Sequence, residues 1–147
     1  MISQKQNTKR KKLNCKTKAL RLLKRRAYFS WELATKLTTS DYTRDEVKKA
    51  IDLCKESMLL DDVALFKYHI GAMQKQKKWG RYKIRHVLLQ KKIPQEIVEQ
   101  MIERFYSHEV EAEMKKILIE QKEKEYLQDS PIKKKRKIHT FLYSRGF

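Results

Sequence analysis

Apolar residues return along this chain at intervals of three and four and rarely alternate, so the pattern is helical from Asn14 onward. Ala19, Leu20, Leu23 and Ala27 mark a first helix, and Ser30 is placed as the N-cap of a second carrying Leu33 and Leu37. Thr43 followed three residues later by Glu46 matches a capping box. It opens a third helix with Val47, Ala50, Ile51, Cys54 and Met58 on one face. The stretch Leu59-Leu60-Asp61-Asp62 then reads as a seam. One helix ends in leucines, and an aspartate accepts from the free backbone N–H groups of the next.

Beyond the seam the plan repeats. Phe66, Ile70 and Met73 define a first helix, Gly80 breaks it, and Ile84, Val87 and Leu88 form a short second. Pro94 sits in the first turn of a third, where its missing N–H costs little. Ile97, Met101 and Phe105 form the core face there, backed by Val98 and Ile102. A further copy starts at His108 with Val110, Met114, Ile117 and Leu118, and Ser130-Pro131 opens its second helix with Ile138, Phe141 and Leu142. Ile84, Val87, Leu88 and Ile93 have apolar counterparts 54 residues later in Ile138, Phe141, Leu142 and Phe147. Ile97 and Met101 match Val47 and Ile51 at an offset of 50, and Leu88 matches Leu33 at 55, which predicts a few extra residues around Thr38–Asp41. The expected fold is all-α: an elongated array of tandem three-helix repeats, the third truncated after two helices. The expected division is a basic flexible arm at 1–13, repeats at 14–60 and 61–107, and an incomplete repeat at 108–147.

Composition narrows the class. With only 3 Gly and 2 Pro, sheets and long loops are disfavoured, and with 37% charged residues no large single core is available. Lys and Arg number 36 against 18 Asp and Glu, a formal charge of +18 that predicts a polyanionic partner. No apolar run approaches the length of a membrane span, so a cytoplasmic protein that avoids membranes is expected. Cys15 lies in a basic flank and Cys54 on an apolar face, with neither zinc nor disulfide spacing.

The charge is segregated. Residues 1–26 hold 11 Lys or Arg, residues 63–95 hold nine and residues 130–147 hold six, all without one acid. The acids gather in Asp45, Glu46, Asp52 and Glu56 and in Glu96, Glu99 and Glu103, on the third helices of the first two repeats. Stacked repeats would line up their basic helices as a stripe suited to an extended polyanion. The proposed contact residues are Lys24, Arg25, Arg26, Lys77, Lys78, Arg81, Lys83 and Arg85, with Lys133, Lys134, Lys135, Arg136 and Lys137 as a second set. Aromatic residues interleave with them at Tyr28, Phe29, Trp31, Trp79 and Tyr82; they serve either to seal helix boundaries or to stack bases, and packing is the commoner use. Catalysis has little to stand on. His69, His86, His108 and His139 are scattered without metal-ligand spacing, there is no glycine-rich phosphate loop, and capping or solvation explains Asp61-Asp62 and Glu109-x-Glu111. No catalytic residue, metal or cofactor is expected.

An ordered set of short motifs resembles the RecX family. It comprises Ser30 with Leu33, LLDD followed by Phe66, Lys78-x-Gly80, LLQKKI at Leu88–Ile93 and LYSRGF at Leu142–Phe147, over roughly residues 17 to 147. The resemblance implies a small bacterial regulator that binds the RecA recombinase filament, and a monomer is expected. It further implies inhibition of ATP hydrolysis, strand exchange and filament growth, and so modulation of DNA repair and recombination. DNA is an implied partner, single-stranded in the first place and double-stranded in the second. A sequence-independent nucleic-acid binder and a scaffold for an acidic protein stay open as alternatives. Two departures stand out: family members commonly continue beyond this motif with one more helix, and Lys92 occupies a position commonly glycine.

Overall fold

The structure, a computed structural model, describes residues 12–147, so all but the last two residues of the expected basic arm lie outside it. Lys12 and Leu13 are tied to the turn at Asp41–Tyr42: Lys12 Nζ donates to the Asp41 carbonyl at 2.6 Å, and the Tyr42 hydroxyl to the Leu13 carbonyl at 2.5 Å. The described residues form eight helices: α1 (Cys15–Arg25), α2 (Ser30–Thr38), α3 (Arg44–Glu56), α4 (Asp62–Lys75), α5 (Arg81–Leu89), α6 (Gln95–Phe105), α7 (His108–Glu125) and α8 (Pro131–Arg145). Among these residues there is no strand, so the expected all-α class holds.

Two buried clusters organise the array. Cys15, Ala19 and Leu22 of α1 pack with Leu33, Leu37, Val47, Ala50, Ile51 and Cys54 of α2 and α3. Phe66, Ile70 and Met73 of α4 pack with Ile84, Leu88, Val98 and Ile102 of α5 and α6. Phe29, from the α1–α2 connection, belongs to the second cluster, fully buried with its ring centroid 4.5 Å from that of Phe66. It is a side-chain knob from one helix trio set into the next. The pair α7 and α8 buries far less, with Leu118 and Leu142 as its enclosed apolar residues.

The register is simpler than the sequence suggests. Leu33, Leu37, Val47 and Ile51 are matched by Ile84, Leu88, Val98 and Ile102 at one constant offset of 51, and all eight are buried. The expected offsets of 50 and 55, and the extra residues near Thr38–Asp41, are therefore corrected. Ile97 and Met101 lie on the flank of α6, half-buried beside the inner Val98 and Ile102. Face assignments shift likewise in α1, where Leu22 is buried and Leu20 exposed, and after α3, where Met58 is 78% exposed. Cys15, which the sequence places in a basic flank, is buried at the start of α1.

Side-chain caps account for four of the eight helix starts. Thr43 and Glu46 make the reciprocal capping box, with bonds of 3.2 and 2.7 Å. Asp61 caps α4 by accepting from Ala64 N–H at 3.0 Å, and Ser107 caps α7 by accepting from Val110 N–H at 3.3 Å. Ser30 is not a cap; Phe29 holds that position and Ser30 is the first residue of α2. At its far end α8 closes in a Schellman motif. Phe147 N–H bonds the Leu142 carbonyl at 3.1 Å and Gly146 N–H the Tyr143 carbonyl at 3.0 Å, with Gly146 at φ 85°.

Two positions in the fold invite direct tests. Gly80 lets the backbone of α5 meet the end of α8 so closely that a β-carbon there would overlap the Gly146 carbonyl. Gly80→Ala should cost about 1–3 kcal/mol through overpacking, concentrated in the α5–α8 junction. Hydrogen exchange should speed up in α7 and α8 and remain unchanged in α1–α3. Lys92 stands at φ 62°, the left-handed region, in the turn between α5 and α6. Lys92→Gly should relieve a strain of roughly 1 kcal/mol and raise the urea midpoint without changing the denaturation slope.

Candidate functional site

Several of the proposed contact residues are engaged within the protein, and the helix junctions explain why. At the start of α2, Ser30 N–H donates to Asp62 Oδ1 at 2.7 Å and its hydroxyl donates to Asp62 Oδ2. At the start of α5, Arg81 N–H donates to Glu111 Oε1 at 2.8 Å. In both cases a carboxylate from the first helix of the following unit satisfies the amide that begins the second helix of the preceding one. A helix N-terminus carries free N–H groups and partial positive charge, so an anion is the fitting occupant. The end of α8 completes the second junction: Gly80 N–H donates to the Arg145 carbonyl at 2.8 Å and Tyr82 N–H to the Gly146 carbonyl at 3.2 Å.

Arg81 lies at the centre of this junction. Its side chain is largely buried; Nη1 donates to the Tyr106 carbonyl at 2.6 Å and Nη2 donates to Glu103. Arg81 is thus a structural residue, its cation tying α5 to the end of α6 and its backbone amide tying α5 to α7, which corrects its place in the contact set. Arg85 is also turned to protein: Nη2 donates to Glu99 Oε2 at 2.9 Å, and the ion pair brings Nε within 2.6 Å of Oε1. Charge segregation between the second and third helices of this unit therefore serves internal pairing. Arg26 pairs with Glu32 at 2.7 Å, and Lys133 and Lys137 flank Asp129 at 3.0 and 2.6 Å. Lys24, Arg25, Lys77, Lys78, Lys83, Lys134, Lys135 and Arg136 have no acidic partner among the described residues.

The remaining cations fall into separate groups. Lys77 and Lys83 hold their ammonium groups 4.5 and 4.9 Å from the Trp79 ring, and Arg26 lies 3.6 Å over Tyr28 in the corresponding connection one unit earlier. These rings are covered by the protein's own cations, so packing is their role. The end of α8 joins the middle group: Lys83 Nζ donates to the Ser144 carbonyl at 2.8 Å and Arg145 to the Lys77 carbonyl at 2.5 Å. Lys133–Lys137 lie at the opposite end of α8, about 12 Å or more along the helix axis from Arg145 at 1.5 Å per residue. Lys36, Lys91 and Lys92, absent from the sequence-based set, border a groove between α2 and α5 with Glu32 and Gln90. The adjacent lysines of LLQKKI signalled them; only the packing of α5 against α2 shows that Lys36 joins them.

Among the described residues no group of three or more His, Cys, Asp or Glu is placed to hold a metal, and no helix is long and apolar enough to cross a membrane. Ionisable groups with shifted equilibria lie near the Arg26 cluster. Burial disfavours the charged form of Glu32, but the Arg26 hydrogen bond and the Lys91 charge outweigh it and hold the carboxyl below its usual range. His69 is held below its ordinary value of 6.5, first by burial and then by the Lys91 charge.

Comparison with known proteins assigns the family. A family model described as RecX, first three-helix domain, matches residues 15–54, the span of α1–α3. A regulatory protein RecX of Chlorobaculum tepidum is 34% identical over 139 residues, covering 93% of this chain and 82% of the relative. The chain belongs to the RecX family. A second relative bearing that name, from Chlorobium phaeobacteroides, is 29% identical over 131 residues and is covered over 82% of its length. The fold is shared with the crystal structure of RecX from Lactobacillus salivarius at a TM-score of 0.78 and 24% identity, covering 90% of this chain and 86% of that one. RecX proteins carry the name of a regulator rather than of a catalyst.

A pH prediction comes from His69, which faces Lys91, Glu32 and Arg26 and stacks 5.6 Å from Phe29. Its folded pKa lies below the unfolded value, so the unfolded chain binds more protons as pH falls past about 6.5. Folding stability should decline as acid is added between pH 7 and the lowered folded pKa, and the decline in that interval should be shallower for His69→Gln. Urea melts at stepped pH values measure it; parallel curves for the two chains would refute the assignment.

Proposed function

We propose that this protein regulates the RecA recombinase, binding its filament on DNA and restraining ATP hydrolysis, filament growth and strand exchange. The support is membership of the RecX family through a relative covered over 82% of its length. The exposed lysines give that reading a physical means, since several basic groups spaced along a helical array suit an extended polyanion better than a compact ligand. The protein acts as a cytoplasmic monomer without catalytic residues, metal or cofactor. Contacts on neighbouring recombinase protomers would bias the filament only insofar as one filament geometry is bound more tightly than another.

The contact set that fits the structure is Lys24, Arg25, Lys77, Lys78 and Lys83, with Lys134, Lys135 and Arg136 as the second group. Arg81 is kept out of any binding test, because charge reversal there would break its buried contacts with Glu103 and the Tyr106 carbonyl. The test is recombinase ATP hydrolysis on single-stranded DNA with increasing amounts of this protein. Inhibition well below one molecule per recombinase is expected, and the double variant Lys77→Glu, Lys78→Glu should weaken it at least tenfold while helical content and melting stay as in the wild type. Inhibition that vanishes with excess DNA would point instead to coating of the nucleic acid. Each substitution that removes a lysine or arginine from a phosphate should lower the salt dependence of DNA binding by about 0.7–0.9 in log–log slope.

A further inference from the structure

We infer that the groove between the start of α5 and the end of α8 receives an unpaired base of single-stranded nucleic acid, stacked on Tyr82 and Tyr143 with its phosphate beside Lys83. The inference deepens the proposed function by giving its nucleic-acid contact a place, and rests on that reading for its biological setting. The groove has a volume of about 510 Å³ and is lined by Tyr82, Lys83, His86, Tyr143 and Phe147, among others. That lies inside the range of roughly 300–1,000 Å³ typical of small-ligand sites.

Two observations select the occupant. Tyr82 is 70% and Tyr143 78% exposed, with Arg85 5.3 Å from the Tyr82 ring centroid but most of that ring left in solvent, whereas Tyr28 is buried and Trp79 half-buried beneath Arg26, Lys77 and Lys83. The two tyrosines are thus large rings offered to solvent, and both belong to the same groove. No Asp or Glu lines it. A point anion or an acidic peptide needs only cations, whereas a nucleobase needs flat ring surface with a cation at phosphate reach, and stacking on exposed rings is how single strands are bound without sequence preference. The surface also continues in a direction a strand could follow. His86 hydrogen-bonds Gln90 at 3.1 Å, and Gln90 borders the neighbouring groove with Lys36, Lys91 and Lys92. The carboxylate there, Glu32, is neutralised by Arg26 at 2.7 Å.

The experiment titrates the full chain with a short oligothymidylate, and with an abasic oligonucleotide of equal length, following fluorescence anisotropy at low salt. Tyr82→Ala and Tyr143→Ala should each weaken oligothymidylate binding about tenfold, while Tyr82→Phe and Tyr143→Phe retain it. The abasic strand should bind the wild type no better than oligothymidylate binds the alanine variants. Both side chains are exposed, so unchanged thermal melting is expected and verifies that the variants are folded. Alanine variants that bind oligothymidylate like the wild type, or equal wild-type affinity for both strands, would overturn the base site in favour of purely electrostatic contact. Alanine variants that fail to capture DNA-free recombinase yet bind the oligonucleotide normally would overturn it in favour of a protein interface. Recombinase inhibition by the wild type is scored separately: its absence together with tyrosine-dependent strand binding would remove the regulatory reading and leave the groove standing.

Discussion

The array depends on how the starts of α2 and α5 are satisfied. Each begins a helix against neighbouring structure, where an N–H without a partner costs about 1–3 kcal/mol. Neither Phe29 nor Gly80, the residues at the two cap positions, caps its helix through a side chain. Asp62 and Glu111 fill the need from the next unit. Each of the first two units is therefore complete only with its successor in place, which turns a string of small helical units into one structure. It also explains the aspartate pair in an otherwise basic chain: Asp61 caps its own helix and Asp62 reaches back to the preceding unit.

The two junctions solve the same problem with different materials. Phe29 enters the second core as a ring, and the residue 51 positions later, Gly80, carries no side chain at all. In its place the backbone of Arg145 and Gly146 comes directly onto the start of α5. Carbonyls at the end of α8 meet amides at the start of α5, so opposite ends of two helix dipoles face one another. The third unit, which buries little apolar surface of its own, gains its position from backbone hydrogen bonds, and its own two helices are joined by cations over rings. Lys122 lies 4.6 Å from the Phe141 ring and Lys137 4.8 Å from that of Tyr126.

Helix count, order and most core faces were legible in the sequence because spacing of three and four, a capping box and proline punctuation act locally. The repeat register was less so. Ile97 and Val98 are adjacent and both apolar, and only the packing of α6 shows that Val98 points inward. Ser30 illustrates the same limit: it is a favoured cap by residue type, yet its hydroxyl bonds an aspartate 32 residues away. The contact residues were the least legible, since charge runs are visible in a sequence and their partners are not.

Lysine and arginine divide along a physical line within the second unit. Arg81 and Arg85 sit opposite Glu103 and Glu99, where a planar fork with several donors can meet a carboxylate and a carbonyl together. Lys77 and Lys78 stay exposed in the connection after α4, where a flexible stem and a strongly hydrated ammonium suit a partner of variable geometry. Counting both types as one basic stripe conceals this difference. In this unit Arg81 and Arg85 tie the helices together, whereas Lys77 and Lys78 stay at the surface. Its attraction to a polyanion therefore rests on fewer charges than the composition implies, and those charges can be altered without undoing the fold.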